Sequence, residues 1–298
     1  MKKSIITIIL ATALLSNVYA KQSIQIKGSD TLINMVQKLA EVYMEKNKDA
    51  SISVTGGGSG TGIAAILNKS TDIANSSREM KSEEYSSAKA KGINVKEVII
   101  AIDALSVIIN PQNPVNTLSI EQIGKIYKGE IKNWQEVGGL NKPITLYGRQ
   151  SNSGTFSFFR EKVLGADYSD KMNRMNGNSQ IVESVKQDIS AIGYVGVGYV
   201  VKDNMPIDGI KLLSVSKKAG ETAYSPIDKT AVMLGQYEIA RGLNQYISGN
   251  PKGLVKDFIN FELSKEGQNI IEDMGFYPIG STIIEKNAKT LKAKTTIF

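Results

Sequence analysis

The chain reads as an α/β protein with enough residues for two domains, and three observations carry that reading. It has 298 residues, a length that suits two domains better than one, and its 41% of hydrophobic residues is enough for ordinary cores. Strand-like runs alternate with amphipathic helical runs. That is the pattern of a sheet covered by helices, in which ligands gather beyond the strand C-termini. Glycine- and hydroxyl-rich turns stand where strands hand over to helices, at 28–32, 55–62 and 149–155.

Taken in order, Ser23–Lys27 reads as a strand. Thr31–Lys46 reads as a helix, because Leu32, Val36, Leu39, Ala40 and Tyr43 share a face. Ser51–Thr55 is the next strand, and Ile63–Asn68 starts the next helix. A short strand at Asp72–Ala74 runs into Asn75-Ser76-Ser77-Arg78, and Glu83–Lys91 is a polar helix. Val95–Asn110 is a long β-rich run that Asp103 interrupts. Such a run can pass from one lobe to another. If the chain returns near residues 228–235, one lobe holds both chain ends. The expected division is 21–104 plus 233–298 for lobe 1 and 105–232 for lobe 2, with a ligand cleft between them.

Asn110-Pro111-Gln112-Asn113-Pro114 punctuates the chain, and Ser119 caps a helix that reaches Tyr127. Trp134 falls in a turn-rich region, and Ile144–Tyr147 is a strand that delivers Arg149. Ile181–Asp188 reads as helix and Ile192–Val201 as a glycine-laced strand region. From Ala231 onward the pattern predicts a more helical portion, with helices at Gly253–Leu263 and Lys265–Met274. Pro278 ends the ordered pattern and leaves Lys286–Phe298 as a basic surface tail.

Composition removes several classes of function. Cysteine and histidine are both absent, which excludes disulfides, thiolate metal sites, the commonest zinc ligand and a Ser-His-Asp triad. No metal or cofactor is expected. The net charge of +7 and pI near 9.2 come from lysines spread among acids, with no nucleic-acid motif. Nucleic acid is therefore not an expected partner; the basic surface instead favours an anionic solute at low salt. Lys2 and Lys3, the apolar Ile5–Leu15 run and Val18-Tyr19-Ala20 together read as a secretory signal, residues 1–20, cleaved after Ala20. An exported chain without a cysteine to carry lipid fits a Gram-negative periplasm.

The three turns share one chemistry. Backbone N–H groups at a helix start, with the helix dipole behind them, favour an anion. Thr55–Gly62 lacks the lysine of a nucleotide P-loop, and Asp72 comes too early for a dinucleotide fingerprint. Arg149, followed by Ser153-Gly154-Thr155 at a helix start, adds a guanidinium fork suited to a tetrahedral oxyanion. Each motif also has a bland reading. Arg149 suits a surface salt bridge with Ser153 as a plain cap, and Ser29 or Asp30 a cap for the first helix. The Asn75–Arg78 segment suits a plain turn. The set is what points to a single small oxyanion.

These motifs, in this order, resemble those of the phosphate-binding proteins of bacterial ABC transporters, the PstS family. The resemblance rests on Gly28–Thr31, Gly56–Gly60, Asp72–Arg78, Ile109–Pro111, Ile126–Trp134 and Arg149–Thr155, and it covers nearly all of the mature chain. It implies a type 2 periplasmic-binding-protein fold, with two α/β lobes joined by crossing strands and closing over the solute. Carried over by position, the phosphate ligands are Ser29, Thr31, Leu32, Ser59, Ser77, Arg149, Ser153, Gly154 and Thr155. Ser77 and Ser151 stand where some members have aspartate. An aspartate can accept the proton that phosphate keeps and sulfate lacks, so serine there discriminates less. Asp103 and Asp30 are candidate replacement acceptors.

The resemblance implies a monomer that captures inorganic phosphate without chemistry and hands it to a membrane permease. Rival readings are a binder of sulfate or molybdate on the same fold, an exported serine- or threonine-dependent phosphatase, and a relative used in sensing or adhesion.

Overall fold

The computed structural model describes residues 22–292, so the expected signal segment and residues 293–298 of the expected tail lie outside it. The chain opens with β1 (Gln22–Gly28), α1 (Ile33–Lys46), β2 (Ala50–Thr55), α2 (Ser59–Leu67), β3 (Ile73–Ser76), α3 (Ser82–Ala90) and β4 (Val95–Ala104). It continues through β5 (Ser106–Ile109), β6 (Thr117–Ser119), α4 (Ile120–Lys128), β7 (Thr145–Arg149), α5 (Gly154–Phe159), β8 (Asn173–Met175), α6 (Asn178–Gln187) and β9 (Ala191–Val195). Short strands follow: β10 (Val201–Lys202), β11 (Met205–Pro206), β12 (Lys211–Leu212), β13 (Ser214–Ser216) and β14 (Ala223–Tyr224). The chain closes with α7 (Lys229–Met233), β15 (Ala240–Ser248), α8 (Gly253–Leu263), α9 (Lys265–Asp273) and α10 (Ser281–Leu291).

Two five-stranded sheets organise these elements, ordered β2-β1-β3-β15-β4 and β12-β5-β9-β7-β8. Each is mixed. In the first, β1 runs parallel to β2 and β3, while β15 is antiparallel to β3 and β4. In the second, β7 is parallel to β8 and β9, while β5 is antiparallel to β9 and β12. The chain steps from one sheet to the other at Leu105, between β4 and β5. It returns through β15, so the first sheet draws strands from both ends of the chain.

The apolar patterning explains the layers. Met35, Val36, Leu39, Ala40 and Tyr43 form the buried face of α1. Tyr43 meets Phe258 and Phe261 of α8 edge-on, at 5.5 and 5.4 Å between ring centres, which ties the first and last portions of the chain together. Around the second sheet, Tyr127, Phe159, Tyr168 and Tyr194 form an aromatic cluster, with Phe159 stacked on Tyr194 at 4.0 Å. Ser119 caps α4 by accepting from the Gln122 N–H, as its position in the sequence suggests. Trp134 is fully buried, and its indole N–H donates to the Ser190 carbonyl at 2.8 Å.

Three local expectations need correction. The break in the 95–110 run falls at Leu105; Asp103 sits inside β4 because it is paired there with a cross-strand arginine. The region after Ala231 is not uniformly helical. Ala240–Ser248 is a nine-residue strand at the heart of the first sheet, and its polar residues hid it because both of its faces are covered. The tail expected from Lys286 is helical as far as Leu291. Asn287 is buried there and fastens α10 to β4, accepting from the Ile99 N–H at 3.0 Å and donating to the Ile99 carbonyl at 2.8 Å.

Candidate functional site

The C-terminal ends of β1, β2, β3 and β7 bring the glycine- and serine-rich turns to one place between the two sheets. Gly58 has φ +87°, and a side chain there would meet the Asn152 carbonyl oxygen at 2.6 Å, so only glycine lets the turn before α2 lie against the turn before α5. Two hydrogen bonds hold that contact. The Gly60 N–H donates to the Asn152 carbonyl at 3.0 Å, and the Asn152 amide donates to the Gly57 carbonyl at 2.8 Å.

Behind this contact lies a buried group of hydroxyls. Ser29 donates to the Ser77 hydroxyl at 2.8 Å, and the Ser59 and Ser77 hydroxyls lie 3.3 Å apart. Across the cleft, the Thr155 hydroxyl lies 3.0 Å from that of Thr31 and 3.4 Å from that of Ser77. Ser29, Thr31, Ser59, Ser77, Ser153 and Thr155 are all essentially inaccessible to solvent. Gly154 completes the group: a β-carbon on it would stand 2.2 Å from the Ser59 oxygen. Several of these contacts exceed the 2.7–2.8 Å preferred by hydroxyl pairs, so the group is only loosely satisfied by itself.

Arg149 is fully buried, so the surface salt-bridge reading is overturned. Its Nη2 donates to Asp30 Oδ2 at 2.5 Å and to the Asn176 carbonyl at 2.8 Å, and its Nε donates to the Met175 carbonyl at 3.4 Å. Nη1 has no partner among the described residues. An unpaired guanidinium corner in a dry site is costly unless an acceptor comes to it. The strand end is fixed from behind: the Arg149 N–H donates to the Tyr194 oxygen, Tyr194 donates to Tyr168, and Tyr168 donates to the Phe156 carbonyl of α5. Burial pushes Tyr194 up to about 12, so its hydroxyl keeps its proton at neutral pH.

The remaining expected residues occupy distinct positions. Leu32 is fully buried in the apolar core, and its N–H donates to the Ser29 carbonyl at 3.2 Å. Ser153 is an N-cap that accepts from the Phe156 N–H. Asp30 is neither free nor a cap for α1. Its Oδ1 accepts from the Gly57 N–H at 2.8 Å, and its Oδ2 holds Arg149 from across the cleft. Asp103 is fully buried, with Oδ1 accepting from the Val197 N–H at 2.9 Å and Oδ2 accepting from Arg241.

Sequence reasoning missed three groups at this site. Arg241 of β15 donates to the Thr155 hydroxyl at 2.9 Å and to the Ser77 carbonyl at 3.0 Å. Tyr199 donates to the Asp30 carbonyl, and burial raises its hydroxyl to about 12. Asn178 opens α6 with neither side-chain atom partnered among the described residues, although it is 1% exposed. One signal for Arg241 did exist: a lone acid inside a β-rich run needs a cation opposite it.

The chain as a whole is similar to known proteins. Residues 17–266 match the PBP superfamily domain. The chain is 30% identical to the phosphate-binding protein PstS of Pseudomonas aeruginosa over 89% of this chain and 85% of that one. It is 31% identical to PstS of Borreliella burgdorferi, over 94% of this chain and 99% of that one. Among solved structures, a substrate-binding protein with bound phosphate from Clostridium perfringens superposes with a TM-score of 0.76 at 29% identity. That match covers 87% of this chain and all of the other. By the extent of these matches, the chain belongs to the PBP superfamily and, within it, to the PstS family of phosphate-binding proteins.

Proposed function

We propose that this chain is exported, captures inorganic phosphate as a monomer between lobes 21–104 plus 233–298 and 105–232, and presents the closed form to an ABC-type membrane permease. The observation that carries the proposal is the convergence of Ser29, Thr31, Ser59 and Ser77 from the first sheet with Arg149, Gly154 and Thr155 from the second. A tetrahedral anion of four oxygens replaces long hydroxyl–hydroxyl contacts with charge-assisted hydrogen bonds, each contributing roughly 1.5–3 kcal/mol. A handful of these supports micromolar binding or better, about −8 kcal/mol. Leu32 contributes backbone and packing at the same helix start, and Ser153 fixes the helix that carries Gly154 and Thr155.

The site holds and does not react. The chain has no histidine to activate a serine. Titration calorimetry of the mature protein with inorganic phosphate tests the proposal directly, and absence of a binding isotherm at micromolar protein rejects it. Turnover of a chromogenic phosphate ester would move the assignment to a phosphatase. A sulfate arm has its own motive: a serine, Ser77, stands buried at the site where some relatives are expected to carry an acceptor, so sulfate competes measurably with phosphate.

A further inference from the structure

Every group named for the anion so far sits where a strand hands over to a helix, yet a second buried cation of the site sits within a strand. Arg241 lies directly opposite Asp103 in the β15–β4 ladder. Both are buried, and Asp103 Oδ2 receives the arginine's Nε at 3.0 Å and Nη2 at 2.8 Å. The other side of the guanidinium looks into the hydroxyl group, where Nη2 reaches Thr155 of α5 and Nη1 reaches the Ser77 carbonyl. The ring of Phe158 covers it at 5.1 Å.

We propose that Arg241 is a second anion-contacting cation and that Asp103 is its positioning residue, so that the captured oxyanion lies between guanidinium groups from both sheets. This rests on the phosphate-binding reading above and assigns Asp103 a part other than taking the ligand's proton. The oxygens of Asp103 are engaged by three N–H groups, which leaves little acceptor capacity for a ligand proton. Asp30 is likewise engaged by Gly57 and Arg149. Arg241, by contrast, reaches the Thr155 hydroxyl, a group expected to turn toward the anion.

Arg149 and Arg241 also feel each other. Burial first, and then repulsion from Arg149, act against the charge on Arg241, while Asp103 sustains it. An anion entering between the two relieves that repulsion, whereas an empty closed site keeps it. This gives closure a direct dependence on occupancy, and it gives the site a preference for doubly charged tetrahedral anions over singly charged ones.

The test is calorimetry with inorganic phosphate on the wild type and on the Arg241→Gln/Asp103→Asn double variant. The double variant removes both charges together and keeps hydrogen-bonding groups at each position, so neither charge is left buried alone. The expected result is a cooperatively folded variant that binds phosphate roughly tenfold to a hundredfold more weakly. Side-chain NMR of 15N-arginine wild type supplies a readout that a merely structural role would not move. The Arg241 guanidinium signals, assigned by their loss in Arg241→Lys, should shift as phosphate is added.

Unchanged affinity in the folded double variant overturns the inference. So do Arg241 signals that stay still while phosphate binds, and this second readout decides the matter if the double variant does not fold. Failure of the wild type itself to bind phosphate overturns the phosphate reading and this inference with it, whereas the first two results sink this inference alone.

Discussion

Arg149 holds the turns of both sheets together, and its behaviour on mutation separates binding from folding. Arg149→Ala removes the guanidinium that bridges Asp30, Asn176 and Met175 and leaves the Asp30 carboxylate with one partner fewer. Phosphate affinity should fall by more than about tenfold, the value of one charged hydrogen bond, while far-UV circular dichroism stays that of the wild type. Near-unchanged phosphate binding by calorimetry would remove Arg149 from the site. Gly154→Ala acts differently. The added methyl needs space occupied by the Ser59 and Ser77 hydroxyls, 2.2 and 2.8 Å away, so it opposes closure and leaves both lobes intact. Its expected signature is a large loss of affinity with an unchanged melting midpoint of the ligand-free protein; wild-type affinity would show that the lobes close without that contact. Arg149 and Gly154 were legible from sequence because a turn residue declares itself through glycine and serine spacing. Arg241 was not, since its one signal, the lone acid Asp103, lies 138 positions away in the chain.

Elements carry a second lesson, visible in β15. Its sequence, Ala240 to Ser248, places arginine, asparagine and glutamine among apolar residues, and alternation fails because partners wait on both faces. Gln245 donates to Asn75 of β3 at 3.2 Å and to Glu262 of α8 at 2.9 Å. Periodicity reads one buried face well; it does not read a central strand whose polar residues are satisfied by distant elements. For the same reason α1, with its single apolar stripe, was legible, while α10, anchored by Asn287, was not. Glu262 makes the contact testable. It is fully buried with no cationic partner among the described residues, and burial holds its carboxyl well above the ordinary 4.5, so the folded protein keeps it protonated where the unfolded chain has released the proton. A raised folded value means that its stabilising contribution is complete below the unfolded value and is lost as pH rises toward the folded one. The melting midpoint should therefore decline as pH increases from about 4.5 toward neutrality on account of this group. Glu262→Gln should flatten that decline and melt higher than the wild type at neutral pH. Parallel melting-versus-pH curves for the two proteins would rule out the buried acid as the cause.

At the scale of the whole molecule, hydrogen bonds join the two halves at the site: Gly60 to Asn152, Asp30 to Arg149, and Thr31 to Thr155. Polar contacts of this kind between lobes open readily unless a ligand completes them. The backbone passes between the two sheets at Leu105 and on its way into β15, and the proposed closure would bend there. A ligand that binds only the closed form must then stabilise the protein by mass action. At a phosphate concentration a hundredfold above the dissociation constant, the gain is about 2.7 kcal/mol, which raises the melting midpoint by several degrees. The same addition should shrink the radius of gyration in small-angle scattering, because the open population is drawn to the closed one. The two readouts together discriminate. A melting shift without compaction means that phosphate binds an already closed molecule, and the coupling of occupancy to closure is then wrong even though the site is right. Compaction that persists in Arg149→Ala at saturating phosphate would place the energy of closure in the sheet-to-sheet contacts and not in the grip on the anion.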